Sequence, residues 1–296
     1  MSASISPLPL GQREGPAAKR WEGEGCAPSP LTLHPSAADA VPSLFPAGSG
    51  EKPTRAHEAY RYSDIEALHS VWHELPDAAA ITLASGERAQ QIWLADADPV
   101  SVRRVAIDLA PGAHLDLFVL NGATRYGRIE LDVIVRDGAH FGLHAANIAG
   151  GKATQEIVTI VRHDEPNGTS NQVVRSVLGG TATGSYLGKV AVARHAQKVD
   201  GEQSVKAMLL TRGATANCKP ELEIYADDVK CAHGASVGEL DADQLFYAMS
   251  RGLSAADAKA LLLEGFVLQL WDGVEDEVQR AALVEASRAL LREVVR

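Results

Sequence analysis

The sequence is short of several residue types on which other classes of protein depend. Its 296 residues include three cysteines, Cys26, Cys218 and Cys231, which are too few for a disulfide framework and predict reduced thiols in a cytoplasmic protein. Basic residues are scarce, 28 against 38 acidic ones, so the net charge of -10 argues against binding to nucleic acid or anionic membranes. Apolar runs long enough to cross a bilayer are missing, as is the apolar core of a signal peptide.

The motifs that mark many enzymes are also missing. The chain has no G-x-x-x-x-G-K-[ST] loop, no G-x-G-x-x-G following a strand, no H-E-x-x-H and no G-x-S-x-G. We therefore expect no nucleotide hydrolysis by this chain itself. Aromatic residues are only 5% of the sequence while 26 residues are glycine, a composition that favours many short β-strands joined by tight turns.

The first two segments contain no strand pattern. Residues 1–56 are rich in Pro, Gly, Ser and Ala without periodicity, which predicts a disordered tail because such a segment buries too little apolar area to offset its ordering entropy. Residues 57–80 are predicted to form a short helical element in which Ser63 caps a helix that Pro76 closes.

Residues 81–239 show a repeat of short alternating strands of four to seven residues. The turn Gly-Ala-His ends at His114 and again at His140, 26 positions later, and weaker glycine turns follow at spacings of 16 to 30 residues. A glycine turn in every unit is typical of a β-solenoid in which stacked coils complete each other's apolar core. The recurrence of His114 and His140 favours a stacked structural ladder over metal ligation. An aligned β-sandwich is the competing interpretation.

Residues 240–296 are predicted to form a helical domain of three helices. Asp241 with Gln244, and Ser254 with Asp257, have the spacing of helix N-caps. The third helix begins with acidic and ends with basic residues, which complements the helix dipole. Its apolar stripe is predicted to consist of Val278, Ala282, Ala286, Leu290 and Val294.

The pair Cys231 and His233 is the clearest candidate for a metal site. If the segment is a strand, alternation places both side chains on one face together with Asp227, and a thiolate with an imidazole suits zinc or iron. Two ligands do not complete a site, although Cys218 could lie one partial coil away. The alternative is that Cys231 fills the core and His233 bonds a backbone carbonyl.

Two further sets of polar residues are interpreted as structural. Asp227 and Asp228 are adjacent, so on a strand they face opposite ways and a solvated edge is the better interpretation. The segment from His163 to Pro166 is predicted to be a hydrogen-bonded turn rather than half of a catalytic dyad, because nothing near it in sequence supplies a nucleophile.

The stretch NCKPELEIYADDVKCAHGASVGELDADQLFYAMSRGL, residues 217–253, resembles the SufD branch of the SufB/SufD family of the SUF iron-sulfur cluster assembly system. The stretches HDEPNGTSNQVVRSVL and GKVAVARHAQKVDGEQSVKAMLL resemble it too, so the likeness extends over about residues 60–266. The family has a longer helical N-terminal region than the twenty or so residues that precede the strands here. The tail beyond Phe266 also diverges.

The resemblance implies a fold, a role and partners. The fold is a mainly β, right-handed parallel β-helix followed by a C-terminal α-helical domain. The role is that of a non-catalytic scaffold which pairs through its β-helix with a SufB-like paralogue and binds a SufC-like ATPase through its C-terminal helices. The SufC partner hydrolyses the ATP. The residues implied for SufC binding are Leu245, Phe246, Tyr247, Met249 and Arg251.

The same resemblance assigns a role to the Cys/His pair. Cys231 and His233 would contact iron or an iron-sulfur cluster at the subunit interface, and the partner chain would supply the missing ligands. A flavin in the complex is compatible with the family. The alternatives are a carbohydrate-active β-helix enzyme, which needs two facing carboxylates, and a structural solenoid that binds protein and no metal.

Overall fold

A computed structural model describes residue 44 and residues 52–94 and 98–295 of the chain. The predicted disordered tail falls almost entirely outside the described residues, so that prediction stays open. Among the helices that are described, none combines the length and the apolar character needed to cross a membrane.

Two parallel sheets of six strands each form the core of the described chain, which confirms the predicted β-helix. Each coil contributes one strand to each sheet. The first sheet contains β1 (Ala79–Leu83), β3 (Val100–Leu109), β5 (Tyr126–Val135), β7 (Thr154–His163), β9 (Thr183–Val192) and β11 (Thr215–Ile224), stacked in that order. The second contains β2 (Arg88–Trp93), β4 (His114–Asn121), β6 (His140–Ala149), β8 (Thr169–Leu178), β10 (Asp200–Leu209) and β12 (Lys230–Gly238).

The register of the strands excludes the β-sandwich, because the paired strands run parallel. His114 pairs with His140 across β4 and β6, so the repeat of 26 residues is one coil of the solenoid. Gly112 and Gly138 have φ of +71° and +63° at equivalent corners, a left-handed conformation that glycine adopts without strain. Most strands are eight to ten residues long rather than the predicted four to seven.

Alternation along each strand separates an interior row from an outer row. In β5 the side chains of Leu131, Val133 and Val135 are fully buried in the core between the two sheets. Because the coils are in register, each of these residues stacks on an interior residue of the next coil. The helices at the two ends of the chain pack on parts of the outer faces of the two sheets.

The helical element before the strands is shorter than predicted and has a different cap. A 3-10 turn (Glu58–Tyr60) precedes α1 (Ile65–Val71), which ends well before Pro76. Asp64, not Ser63, is the N-cap, and its carboxylate accepts a hydrogen bond of 3.0 Å from the Ala67 amide. The prediction for Ser63 is wrong because its hydroxyl is buried and donates instead to Glu156 at 2.8 Å.

Buried charges join this element to the outer face of the first sheet. Arg128 is fully buried and donates to Glu130 at 2.5 Å and to Glu156 at 2.9 Å. It also donates to the carbonyl oxygen of Ala59 and the hydroxyl of Ser63. Burial alone would lower the pKa of Arg128, but the two carboxylates outweigh it and raise that pKa above its usual value. The guanidinium is therefore charged and ties the N-terminal element to the sheet.

Three helices follow the last strand: α2 (Ala242–Ser250), α3 (Ala255–Leu268) and α4 (Glu277–Val295). The predicted caps are confirmed. Asp241 accepts from the amides of residues 243 and 244, and Ser254 accepts from the Asp257 amide at 3.1 Å. Gly252, with φ of +97°, follows the end of α2.

The predicted stripe of α4 is partly wrong. Val278 is 80% exposed and Ala282 is also exposed, whereas the buried line is Leu283, Ser287 and Leu291. A search for apolar residues at helical spacing does not find this buried face, because Ser287 in its middle is polar. It is buried because its hydroxyl accepts a 3.1 Å hydrogen bond from the indole nitrogen of Trp271.

The C-terminal helices pack on the outer face of the second sheet. Trp271 is fully buried in a cluster that includes Phe118 and Ile148 from that sheet and Leu283 from α4. Gln90 of β2 extends the junction, donating to the Gly273 carbonyl at 2.9 Å and accepting from the Glu275 amide at 3.0 Å.

Replacing Glu156 with glutamine tests the buried charges. The variant keeps the side-chain volume but leaves the buried Arg128 with one carboxylate, so the free energy of unfolding should fall by about 3 kcal/mol. Urea unfolding followed by circular dichroism measures the loss. Asp227→Asn, at an exposed carboxylate, is the matched control and should change stability by less than about 0.5 kcal/mol. Equal losses in both variants would contradict the assignment.

Candidate metal centre at the last coil

Cys231 and His233 lie on β12, the edge strand of the second sheet. They pair with Gly201 and Gln203 of β10. The side chain of Gln203 lies on the same face of β10 as the buried Val205. In-register parallel strands place paired side chains on the same face, so both predicted ligands face the interior of the solenoid. Cys231 is half-buried and His233 is exposed.

The interior is open at this end because the coils stop stacking here. Ile224 of β11 is 39% exposed and Val237 of β12 is 50% exposed, although their register partners Val192 and Ala207 are buried. We call the interior-facing residues of β11 and β12 the open end. It combines exposed apolar side chains with a strand edge that pairs with no further strand among the described residues, and both features fit a surface that another protein covers.

A buried polar chain runs through the interior toward His233. The hydroxyl of Thr159 donates to Gln172 at 2.7 Å, the Tyr186 hydroxyl donates to Gln172 at 3.0 Å, and Gln203 donates to Tyr186 at 2.9 Å. Gln203 is the register partner of His233, and its side-chain oxygen has no hydrogen-bond partner among the described residues. Gln203 was not among the residues predicted for this site, because its only signal in the sequence is its position 30 residues before His233.

The thiol of Cys231 lies over a glycine. A Cβ atom at Gly201 would be 3.5 Å from the sulfur, and the sulfur packs at the margin of the main core. Burial raises the pKa of this thiol, the nearby Asp200 raises it further, and a hydrogen bond from the Gly201 backbone partly offsets both. Binding a metal through Cys231 therefore requires that the metal displace a proton.

The described part of the chain does not surround the pair with further ligands. Within the described residues, no third cysteine, histidine or carboxylate joins Cys231 and His233 within 4.8 Å. Cys218 also faces the interior, but from β11 of the other sheet, and burial raises its pKa as well. A complete coordination sphere at the open end would need ligands from outside the described residues.

The structure brings together a different group of three ligands. His114 and His140 stack with ring centroids 4.3 Å apart, so the predicted stacking of the two rings is confirmed, and Asp116 lies beside both rings. Asp116 lies outside the repeated Gly-Ala-His turns and was not among the predicted ligands. Its signal was its position two residues after His114, on the same face of the strand.

The acidic pair and the histidine turn have structural roles. Asp227 and Asp228 are exposed in the turn before β12, so the expectation that Asp227 shares the strand face of Cys231 is wrong. The solvated interpretation of the pair is confirmed. His163 ends β7, is buried, and bonds the hydroxyl of Ser170 at 2.9 Å. Burial lowers the pKa of His163 to about 4, so its imidazole is neutral at physiological pH.

The five residues implied for partner binding lie in α2 or at its end. Phe246 and Tyr247 are 73% and 60% exposed, Met249 is exposed, and Leu245 is half-buried. Arg251 lies over the Tyr247 ring, 5.0 Å from its centroid, and donates to its hydroxyl at 3.0 Å. Two exposed aromatic side chains with an arginine are typical of protein interfaces.

These features define a parallel β-helix with an open end and a C-terminal group of helices. Residues 77–266 match the family model described as "SUF system FeS cluster assembly, SufBD core domain", and the chain belongs to that family. It is 30% identical over 231 residues to the iron-sulfur cluster assembly protein SufD of Escherichia coli, an alignment that covers 74% of this chain and 53% of the relative.

Other relatives are similar over shorter lengths. An iron-sulfur cluster assembly SufBD family protein of Synechocystis is 35% identical over 130 residues, 44% of this chain and 29% of the relative. SufD of Bacillus subtilis is 29% identical over 131 residues, 44% of this chain and 30% of the relative. The chain thus spans about half the length of the first of these relatives and less than a third of the other two.

The pH dependence of alkylation tests the state of the Cys231 thiol. Because burial raises its pKa, labelling by iodoacetamide should increase with a midpoint above the value of about 8.5 found for free cysteine. Peptide mass spectrometry over a pH series measures labelling at Cys231 separately from the other cysteines, with glutathione as the reference thiol. A midpoint below that of glutathione would contradict the assigned environment.

Proposed function

We propose that this chain is a non-catalytic scaffold subunit for iron-sulfur cluster assembly, with iron or a nascent cluster as its cargo. The carrying observation is the position of Cys231 and His233, which share one face of an edge strand at the open end. Family membership supports the broader role in the SUF system. The site offers two ligands, so the proposal requires a second protein to complete it.

The second protein in this proposal is a SufB-like paralogue. Another solenoid of the same architecture could pair its strands with the edge strands of this one and cover Ile224 and Val237. It could also bring its own ligands to Cys231 and His233. Pairing along β12 would satisfy backbone groups that face outward from the sheet. The cargo would then be held between two subunits and would be released when they separate.

The third component is a SufC-like ATPase that binds α2. The patch of Phe246, Tyr247 and Met249 is exposed and lies on a helix that begins four residues after the last residue of β12. An ATPase that moves α2 would therefore act on the element that directly follows the strand carrying the cargo site. This arrangement places ATP hydrolysis in the partner, in agreement with the missing phosphate-binding motifs of this chain.

The location that fits this role is the cytoplasm. Cys218 and Cys231 are free thiols, and a thiol ligand is useful only where it remains reduced. The net charge of -10 also makes nucleic acid and anionic lipid poor partners.

Substitution of the two ligands tests the cargo site. Cys231→Ala and His233→Ala should each slow cluster formation by about tenfold or more, because the partner's ligands cannot hold the metal alone. The measurement is anaerobic reconstitution of the full complex with SufB-like and SufC-like partners, followed by visible absorption. Cys218→Ala, which removes a thiol from the same coil, is the control and should stay within about twofold of the parent. Parental rates in the Cys231 and His233 variants would exclude the site.

Substitution on α2 tests the ATPase surface separately. Phe246→Ser should weaken binding of the SufC-like partner by about tenfold or more, since exposed aromatic residues often dominate an interface. Val278→Ser is the matched control, because Val278 is similarly exposed but lies on α4. Titration calorimetry with the purified ATPase gives both affinities. Equal affinity for the two variants would show that the ATPase docks elsewhere.

A further inference from the structure

A second candidate metal site lies on the outer face of the second sheet, apart from the open end. His114 and Asp116 come from β4, and His140 from β6 pairs directly with His114. The side chains between them in sequence, such as Leu115 and Leu117, face the interior core, so these three face outward. Their side chains are 20% to 31% exposed, which leaves one side of the group accessible to solvent.

The ligand atoms of the three side chains converge. One Asp116 oxygen is 3.0 Å from Nε2 of His114, and the other is 3.8 Å from Nε2 of His140. All three ligand atoms lie within 4.8 Å of one another. Ligands at 2.0 to 2.1 Å in a tetrahedral zinc site are separated by about 3.3 Å, so small side-chain movements would close the group around one ion.

A glycine makes room for this arrangement. Gly142 is the register partner of Asp116, and a Cβ atom there would lie 2.2 Å from Oδ1 of Asp116 and 3.5 Å from Nε2 of His140. The Asp116 carboxylate therefore extends over Gly142 toward the neighbouring strand. Any larger residue at position 142 would displace the carboxylate from the two imidazoles.

The second coordination shell favours ligation through Nε2 of His140. Its Nδ1 bonds the Thr169 hydroxyl at 2.7 Å, which orients the ring and leaves Nε2 toward the carboxylate. Burial, followed by the neighbouring His114, lowers the pKa of His140, so the imidazole is in the neutral, ligating form at physiological pH. The side-chain oxygen of Asn171, the register partner of Gly142 on β8, is buried and has no hydrogen-bond partner among the described residues.

We propose that His114, Asp116 and His140 bind one divalent transition-metal ion, with water in the remaining coordination positions. Two imidazoles and one carboxylate form a ligand set that suits zinc or ferrous iron. The ion would link two successive coils of the solenoid, since its ligands come from β4 and β6. This site does not depend on the role of Cys231 and His233, which face the interior from β12.

The positive charge of Arg88 opposes metal binding at this site, so its removal provides a test. Arg88 is the register partner of His114 on β2, and its charge contributes to lowering the pKa of His140. His144, further along β6 and stacked on Phe118, lies outside the group of three. Removal of Arg88 should therefore strengthen metal binding, whereas removal of His144 should leave it unchanged.

Zinc titration of the full chain tests the proposal. The parent for this experiment is the Cys231→Ala, His233→Ala double variant, so that the open end does not contribute, and bound metal is first removed with a chelator. Isothermal titration with Zn²⁺ at about pH 7.5 should show one equivalent with a micromolar Kd. Adding the near-isosteric substitution Asp116→Asn should weaken that binding by about tenfold or more while unfolding in urea stays cooperative.

Two matched substitutions complete the test. His144→Ala, which removes a nearby histidine outside the group, should leave the Kd within about twofold of the parent. Arg88→Gln should tighten binding severalfold, because it removes a like charge. The site is excluded if the parent takes up no zinc at about 100 µM, or if Asp116→Asn binds as tightly as the parent. Either result leaves the proposed scaffold function unaffected, because the tested residues are different.

Discussion

In-register parallel stacking of the coils is the constraint on which the rest of this structure depends. Each strand pairs with the strand one coil earlier and one coil later, so residues 26 to 32 positions apart become direct neighbours. Interior residues stack into an apolar core, and outer residues stack in rows along the outer faces of the sheets. Both the buried polar chain that leads to His233 and the stacked pair of His114 and His140 are products of this single rule.

The same rule makes the last coil different from the others. Interior positions that are sealed elsewhere are exposed on β11 and β12, and a half-buried thiol and an exposed imidazole are among them. A residue at such a position has the rigid placement of a core residue together with access to a partner. In the proposed function, this combination would allow β12 to present Cys231 and His233 to a metal that a neighbouring subunit also contacts.

The outer faces are stabilised in two chemically different ways. The first sheet is joined to the N-terminal element by the buried charges around Arg128, whereas the second sheet is joined to the C-terminal helices by an apolar cluster around Trp271. A buried charge that loses its partner is costly, while an apolar cluster tolerates small adjustments. The helix that carries the proposed ATPase surface thus belongs to a domain that apolar packing attaches to the second sheet. The N-terminal element, in contrast, is attached to the first sheet by specific hydrogen bonds.

Local features of this protein could be predicted from the sequence alone. The repeat of Gly-Ala-His, the N-caps at Asp241 and Ser254 and the block around Cys231 and His233 are signals carried by neighbouring residues, and they were enough to predict the solenoid, the following helices and the family. Each depends on short-range physics, namely strand alternation, turn conformation and capping.

What only the tertiary structure decided involves contacts between distant residues. Ser63 does not cap a helix, because its hydroxyl donates a buried hydrogen bond to Glu156, 93 residues away. Ser287 is polar but belongs to the buried line of α4, because its hydroxyl accepts a hydrogen bond from Trp271. The position of the Asp116 side chain over Gly142 and the exposure of interior positions at the last coil likewise follow from the stacking of the coils. The physical reason is that the partner of each group, or its absence, is set by the coil that packs against it and not by its neighbours in the chain.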